Sequence, residues 1–132
     1  MPAFRVNVKV DQKGAIFSAS ETKAAGQRMT TRINDVIAEE GVVRVRSRLG
    51  QVLQNPTGYY ESRIQVDRRA QYRGISDGGV VYGGWLEGIS SRNKTTRFKG
   101  YRTFRIVQQQ LSKDTRQLAQ PIVDRYVQEM SQ

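Results

Sequence analysis

The chain contains neither cysteine nor histidine. Without cysteine there is no disulfide framework and no thiolate metal site, so the sequence suits a reducing compartment without requiring one. Without histidine the commonest general base and the commonest zinc ligand are both missing, which leaves carboxylates, lysine, tyrosine or serine for any chemistry. Long apolar runs are missing too. None approaches the roughly 20 residues that span a bilayer, and the N-terminus carries no apolar signal-peptide core. The expectation is a soluble protein made in a cytoplasm, with no membrane partner and no cofactor.

Negative charge is also scarce, with 12 Asp and Glu against 22 Lys and Arg, a net charge of +10 and a pI near 10.4. Such a field attracts polyanions, whether nucleic acid or acidic protein surfaces, and says nothing about fold. Apolar residues make up 37% of the 132 residues, and the mean hydropathy is -0.63. One domain spanning 1–132 is expected, with a small core or with apolar surface completed only by assembly.

The N-terminal segment alternates. Phe4, Val6, Val8 and Val10 fall on one face, with Arg5, Asn7, Lys9 and Asp11 on the other, the period of a half-buried strand. Asp11 to Gly14 reads as a turn, and Ala15-Ile16-Phe17 is too short to assign. Ser18 and Glu21 have capping-box spacing, so a long helix should follow. Ala25, Met29, Ile33, Val36 and Ile37 supply its apolar face, and Val42, Val43, Val45, Leu49, Val52 and Leu53 prolong it beyond Gly41 toward Gln54, with a kink expected near Gly41. Asn55-Pro56-Thr57-Gly58 ends it.

From Tyr59 the period returns to two. Tyr60, Ser62, Ile64 and Val66 share a face, which predicts a strand. A turn at Asp67-Arg68-Arg69, a second strand through Tyr72 and Ile75, a hairpin turn at Asp77-Gly78 and a return strand over Val80–Tyr82 would complete an antiparallel meander. A basic loop over about 89–103 follows. Tyr101 to Ile106 suits a last strand or a helix entry, and a C-terminal helix runs on from Val107 with a break or kink at Pro121. The fold class is therefore α+β, an antiparallel meander sheet packed against a long helix in the N-terminal half and a C-terminal helix.

Four groups of residues are candidates for function. The glycines of "GGVVYGGWLEG" invite a phosphate loop, but they lack the Gly-Lys-Ser/Thr ending and do not open a helix after a strand, so tight turns and close packing beneath Trp85 are the better reading. Glu61, Asp67, Asp77 and Glu87 are carboxylates that could serve acid–base chemistry only if two faced one cleft; solvated or paired charge is the simpler account, and no enzyme is expected. Arg92, Lys94, Arg97, Lys99, Arg102 and Arg105 interleave with Phe98, Tyr101 and Phe104, a pattern that fits either single-stranded nucleic acid or aromatic anchors beneath wet charges. Arg44, Arg46 and Arg48 form a second basic run, either a solvated helix face or the lining of an inter-subunit groove. Gln108, Gln109 and Gln110 read as exposed helix surface.

The order of these features resembles the tail-completion family of tailed double-stranded DNA phages, which includes tail terminators and other neck proteins. Tyr82, Gly83, Trp85, Leu86, Glu87 and Gly88 match the family's segment after a strand, and Phe104 matches the aromatic that starts its terminal helix. The resemblance implies a small α+β virion subunit that assembles into a ring, commonly hexameric, at the tail end or between tail and head. It implies neighbouring connector or tail-tube proteins as partners, with contact to packaged DNA open as well. Tyr82, Trp85, Leu86, Glu87 and Gly88 would then form the base of a docking loop carrying Arg92, Lys94, Arg97, Lys99 and Arg102. The alternative is a small basic nucleic-acid-binding protein.

Overall fold

The computed structural model describes residues 2–9, 20–53, 57–68 and 72–130, with backbone only for 20–23 and 130. The elements are β1 (Ala3–Val6), α1 (Ser20–Val52), α2 (Tyr59–Ser62), β2 (Gln65–Arg68), β3 (Arg73–Ser76), α3 (Gly83–Glu87), α4 (Ser91–Thr95) and α5 (Thr103–Met130). The fold is α+β. A three-stranded antiparallel sheet packs against the long helix α1 and the C-terminal helix α5. Among the described residues no helix is long and apolar enough to cross a membrane.

The periodicity of α1 explains the core. Met29, Ile33, Ile37, Gly41, Val45 and Leu49 recur every fourth residue and all are buried. Phe4, Val6 and Ile75 of the sheet and Phe104, Val107 and Leu111 of α5 close over that stripe, with Tyr60 and Ile64 at one end. Gly41 does not interrupt the helix. A Cβ there would collide with Ile75 Cδ1 and lie 3.0 Å from Leu111 Cδ1, so the missing side chain lets sheet and C-terminal helix meet α1 at one point. Pro121 likewise lies inside α5, which continues to Met130.

The sheet order is β1-β3-β2, so the strand latest in sequence is central. Phe4 pairs with Ile75 on one side, and Val66 pairs with Ile75 on the other. This arrangement accounts for a difference from the sequence reading. Val80–Tyr82 is not a return strand, because both edges of β3 are already taken. The chain instead leaves through Gly78 and Gly79, at φ 71 and 85, with the Gly79 N–H donating to Asp77 Oδ1 at 2.9 Å. Val81 ends up fully exposed.

Tyr59–Ser62 is a helical turn rather than the start of a strand. Tyr60 and Ile64 are four apart, a spacing that puts both on one face under either period, and both are buried. Ser62 settles the matter, since it is exposed where the alternation would have buried it. Tyr101–Ile106 resolves as a helix entry, with α5 starting at Thr103, earlier than Val107. The turn expected at Asp67-Arg68-Arg69 begins later, because Asp67 and Arg68 still pair with Gly74 and Arg73 in the sheet. Arg69, the expected turn at 11–14, the segment 15–17, the Ser18 cap and the Asn55-Pro56 stop fall outside the described residues.

Asn34 carries β1 onward along α1. Its Oδ1 accepts from the Val8 N–H at 2.7 Å and its Nδ2 donates to the Val8 carbonyl at 3.0 Å, which serves both backbone groups of a residue beyond the strand. Arg73 and Arg68 reach Asp35 from the sheet at 2.6 and 3.8 Å, so the same turn of α1 is also held by charge.

Replacing Gly41 by Val should lower stability by about 1–3 kcal/mol through overpacking, even though helix propensity alone favours Val over Gly. Urea unfolding followed by circular dichroism should show a lower midpoint at unchanged slope. An unchanged or higher midpoint would contradict the close meeting of α1, β3 and α5.

Candidate functional site

The segment from Asp77 to Arg105 forms a corner tied together by long-range hydrogen bonds. Asp77 is completely buried, and Tyr60 Oη donates to its Oδ2 at 3.0 Å. Burial first, and then the neighbouring Asp77 carboxylate, push the Tyr60 phenol well above its ordinary pKa and keep it a neutral donor. Gly83 lies against this pair. A Cβ at that position would overlap Asp77 Oδ2, so only glycine lets α3 approach.

Glu87 closes the other end. Its Oε1 accepts from the Phe104 N–H at 2.9 Å and its Oε2 from the Arg105 N–H at 3.1 Å. Helix α5 therefore receives its N-terminal cap from a residue 17 positions upstream of Phe104. Backbone bonds reinforce it, with Tyr101 N–H donating to Leu86 O at 2.7 Å and Arg102 N–H to Glu87 O at 3.2 Å. Gly88 and Gly100, at φ 102 and 92, pack backbone to backbone, where a Cβ on either would strike the other segment. Arg102 holds a left-handed φ of 53 as the chain turns into α5.

The expected basic loop is more ordered than its composition suggests. Ser90 Oγ accepts from the Arg92 N–H at 3.3 Å, and Asn93 Oδ1 accepts from the Ser90 N–H at 2.9 Å, which caps the short helix α4. The buried Asn93 also donates Nδ2 to the carbonyls of Trp85 and Phe98, both at 3.1 Å. Trp85, Phe98 and Tyr101 pack ring against ring in series, tilted at the first step and edge-on at the second, with centroids 5.0 Å apart at each. Lys99 is turned back on the loop, its Nζ donating to the Asn93 carbonyl at 2.8 Å. Arg92, Lys94, Arg97, Arg102 and Arg105 stay exposed.

The other singled-out residues are dispersed. Arg44 joins Glu40 to Asp114 on α5, at 2.9 and 2.8 Å, and these two hydrogen bonds hold its pKa up. Arg46 donates to the carbonyls of Glu61 and Ile64 at 3.1 and 2.8 Å, which ties α2 to α1. Arg48 is half-buried near Glu87 and lends it positive charge. Of the four carboxylates, Asp77 and Glu87 belong to the corner, Glu61 lies on α2 and Asp67 on β2. Gln108, Gln109 and Gln110 are exposed, as their polarity predicts. Sequence reasoning missed Asn93, although Ser90 and Asn93 have the spacing of a capping box. It also missed the Tyr60–Asp77 bond, for which no local signal exists.

Beside the corner opens a groove of about 660 Å³, lined by Val81, Tyr82, Trp85, Ile89 and Arg92 among others. Ile89 is 61% exposed and Tyr82 45%. Tyr82 is steadied by Tyr60, their rings 5.7 Å apart.

No family model, no curated protein and no solved structure matches this chain. The corner must speak through its own chemistry.

Burial raises the Glu87 pKa, against the lowering effect of the Phe104 and Arg105 N–H groups and of Arg102 and Arg48. The folded state therefore holds this proton more tightly than the unfolded chain does. Its contribution to stability is fullest below the ordinary value of 4.5 and is lost as pH rises through the folded-state pKa. Glu87→Gln cannot ionise. The stability advantage of the native protein over this variant should shrink as pH rises from about 4 to about 8 in urea titrations. An advantage that grows with pH would mean that the two N–H donors outweigh burial.

Proposed function

We propose that this chain is a non-enzymatic virion protein of a tailed phage, a subunit of a ring at the tail end or neck that joins tail to head. The observation that carries the reading is the bond between Glu87 and the Phe104 N–H. The residues that resemble the tail-completion family lie in two stretches separated in sequence, and here they form one unit: Tyr82–Gly88 is fastened to the first turn of α5. Such a corner suits docking, because it presents α4 and its cations from a fixed base.

Apolar surface left open supports an assembling subunit. On α5 the stripe beyond Leu111 is only half covered at Leu118, Ile122, Val123 and Tyr126, and Val127 is 38% exposed. Burial of such surface between subunits stabilises a ring at roughly 25 cal/mol per Å² of apolar area before the cost of association. In the assembled particle, Arg92, Lys94, Arg97 and Arg102 would meet an acidic neighbouring ring or line the DNA passage. Nucleic-acid binding as the primary role is less favoured, since Phe98 and Tyr101 pack edge to face in series with Trp85 instead of forming a row of separate rings for successive bases.

Native mass spectrometry of the purified protein should find a closed oligomer, six subunits being the expectation from the resemblance, and cryo-microscopy should show it as a ring. A strictly monomeric chain that also fails to bind portal or tail components would overturn the proposal.

A further inference from the structure

The groove beside the corner has unusual surroundings. Its exposed lining side chains, Arg92 apart, are aliphatic and aromatic, with Val81 100% exposed and Ile89 61%. Exposed valine and isoleucine on a turn gain nothing in water, and their position beside Tyr82 and Trp85 makes one apolar depression. Its walls are fixed before any partner arrives. The Asp77 turn and the Tyr60–Tyr82 and Trp85–Phe98 ring contacts hold Tyr82 and Trp85, so little ordering of these two is left to do on binding.

The exposed charge around the groove is positive, since the Asp77 carboxylate bonded to the N–H of the lining residue Gly79 is completely buried. Arg92 forms part of its lining, and the Arg63 guanidinium lies near Gly78, one residue from the lining residue Gly79. Lys94 and Arg97 follow on or just after α4 and are exposed. From Gly78 to Lys113 the only acidic residue is Glu87, which is 8% exposed and occupied with the start of α5. Nothing negative on this stretch is left to face a partner.

We infer that this groove docks an acidic segment of a partner protein, an apolar side chain of that segment seating between Val81, Tyr82, Trp85 and Ile89 while its carboxylates meet Arg92 and Arg63. The inference rests on the assembly reading above and names the chemistry of the neighbour. A second copy of this chain would bring a like-charged rim to the same place, which opposes docking. Nucleic acid would satisfy the cations but leave Val81 and Ile89 without an apolar partner. An acidic segment with an apolar anchor satisfies both features, in the usual arrangement of buried anchor and charged rim.

Trp85 is the sole tryptophan and lines the groove, so its fluorescence reports occupancy directly. The full chain would be titrated with a short glutamate-rich peptide bearing one central leucine, with the same peptide carrying serine instead, and with a thymidine oligonucleotide. The leucine peptide should shift Trp85 emission and bind at least about tenfold more tightly than the serine peptide. Val81→Asp and Arg92→Glu should each weaken it about tenfold, whereas Lys113→Glu, outside the groove, should not. Because Val81 and Arg92 are exposed, unchanged circular dichroism will certify the variants as folded.

Equal binding of the two peptides, indifference to both groove variants, or an oligonucleotide response abolished by Val81→Asp would each overturn the inference. So would a Trp85 shift that depends on protein concentration alone, which would assign the groove to a second copy. A closed ring in native mass spectra with no peptide binding would sink the groove and spare the assembly reading. Peptide binding by a strict monomer that fails to bind portal or tail components would do the reverse.

Discussion

The carboxylate of Glu87 is the joint on which the C-terminal half depends. A helix start leaves several backbone N–H groups without partners, and a buried orphan donor costs about 1–3 kcal/mol. In α5 that start is also where Phe104 enters the core, 3% exposed and in edge contact with Phe4 of the first strand. Water cannot serve the Phe104 N–H there, so a side chain must. By doing so, Glu87 fixes where α5 begins, and with it the alignment of Val107 and Leu111 against the Gly41 stretch of α1. The same carboxylate binds α3 to α5 and leaves the intervening residues no option but to arch outward between two fixed feet.

A second constraint acts upstream. Because β3 is central, the chain cannot return along the sheet after Ser76, and its next residues must turn away. Asp77 manages that exit. Buried and bonded to Tyr60, it also accepts from the Gly79 N–H, so one side chain serves the sheet end, the helical turn before β2 and the glycine turn. The exposed groove is a by-product of this exit. Val80 to Tyr82 have the composition of a strand but no free edge of β3 to join; Val80 packs partly against the core, and Val81 and Tyr82 lie on the outside.

The two long helices and the core stripe were legible because they rest on local periodicity, whereas the short α2 and α4 read as strand and loop. A repeat of four from Met29 to Leu49 is visible without any tertiary knowledge, and so is the alternation of Phe4 and Val6. The strand order was not legible. Nothing in β1 announces that it will pair with residues about seventy positions away, and without that pairing Val80–Tyr82 looks like a good strand. Tyr60 and Ile64 were ambiguous for a simpler reason, since positions four apart satisfy both periods. Within the candidate site, Tyr82, Trp85 and Glu87 stand together in the sequence as one segment, yet what each touches depends on residues far along the chain: Tyr60 for Tyr82, Phe98 for Trp85, Phe104 for Glu87.

Those long-range ties decide how the basic residues should be read. A run of cations on a mobile loop attracts polyanions of any shape and has little selectivity. Here Asn93 bonds to the carbonyls of Trp85 and Phe98, and Lys99 is folded back onto Asn93, so α4 is held to the corner and Arg92 keeps a fixed place beside the groove. Fixed charge next to a fixed apolar depression discriminates by geometry, because a partner must match both at once. A ring built from heterologous contacts needs two unlike patches on every subunit, and attachment to a neighbouring ring needs a third. The open stripe on α5 and the groove by α4 differ in chemistry, the one aliphatic on a long helix, the other apolar with a cationic rim. That difference favours giving the first to contacts between copies and the second to a partner of opposite charge.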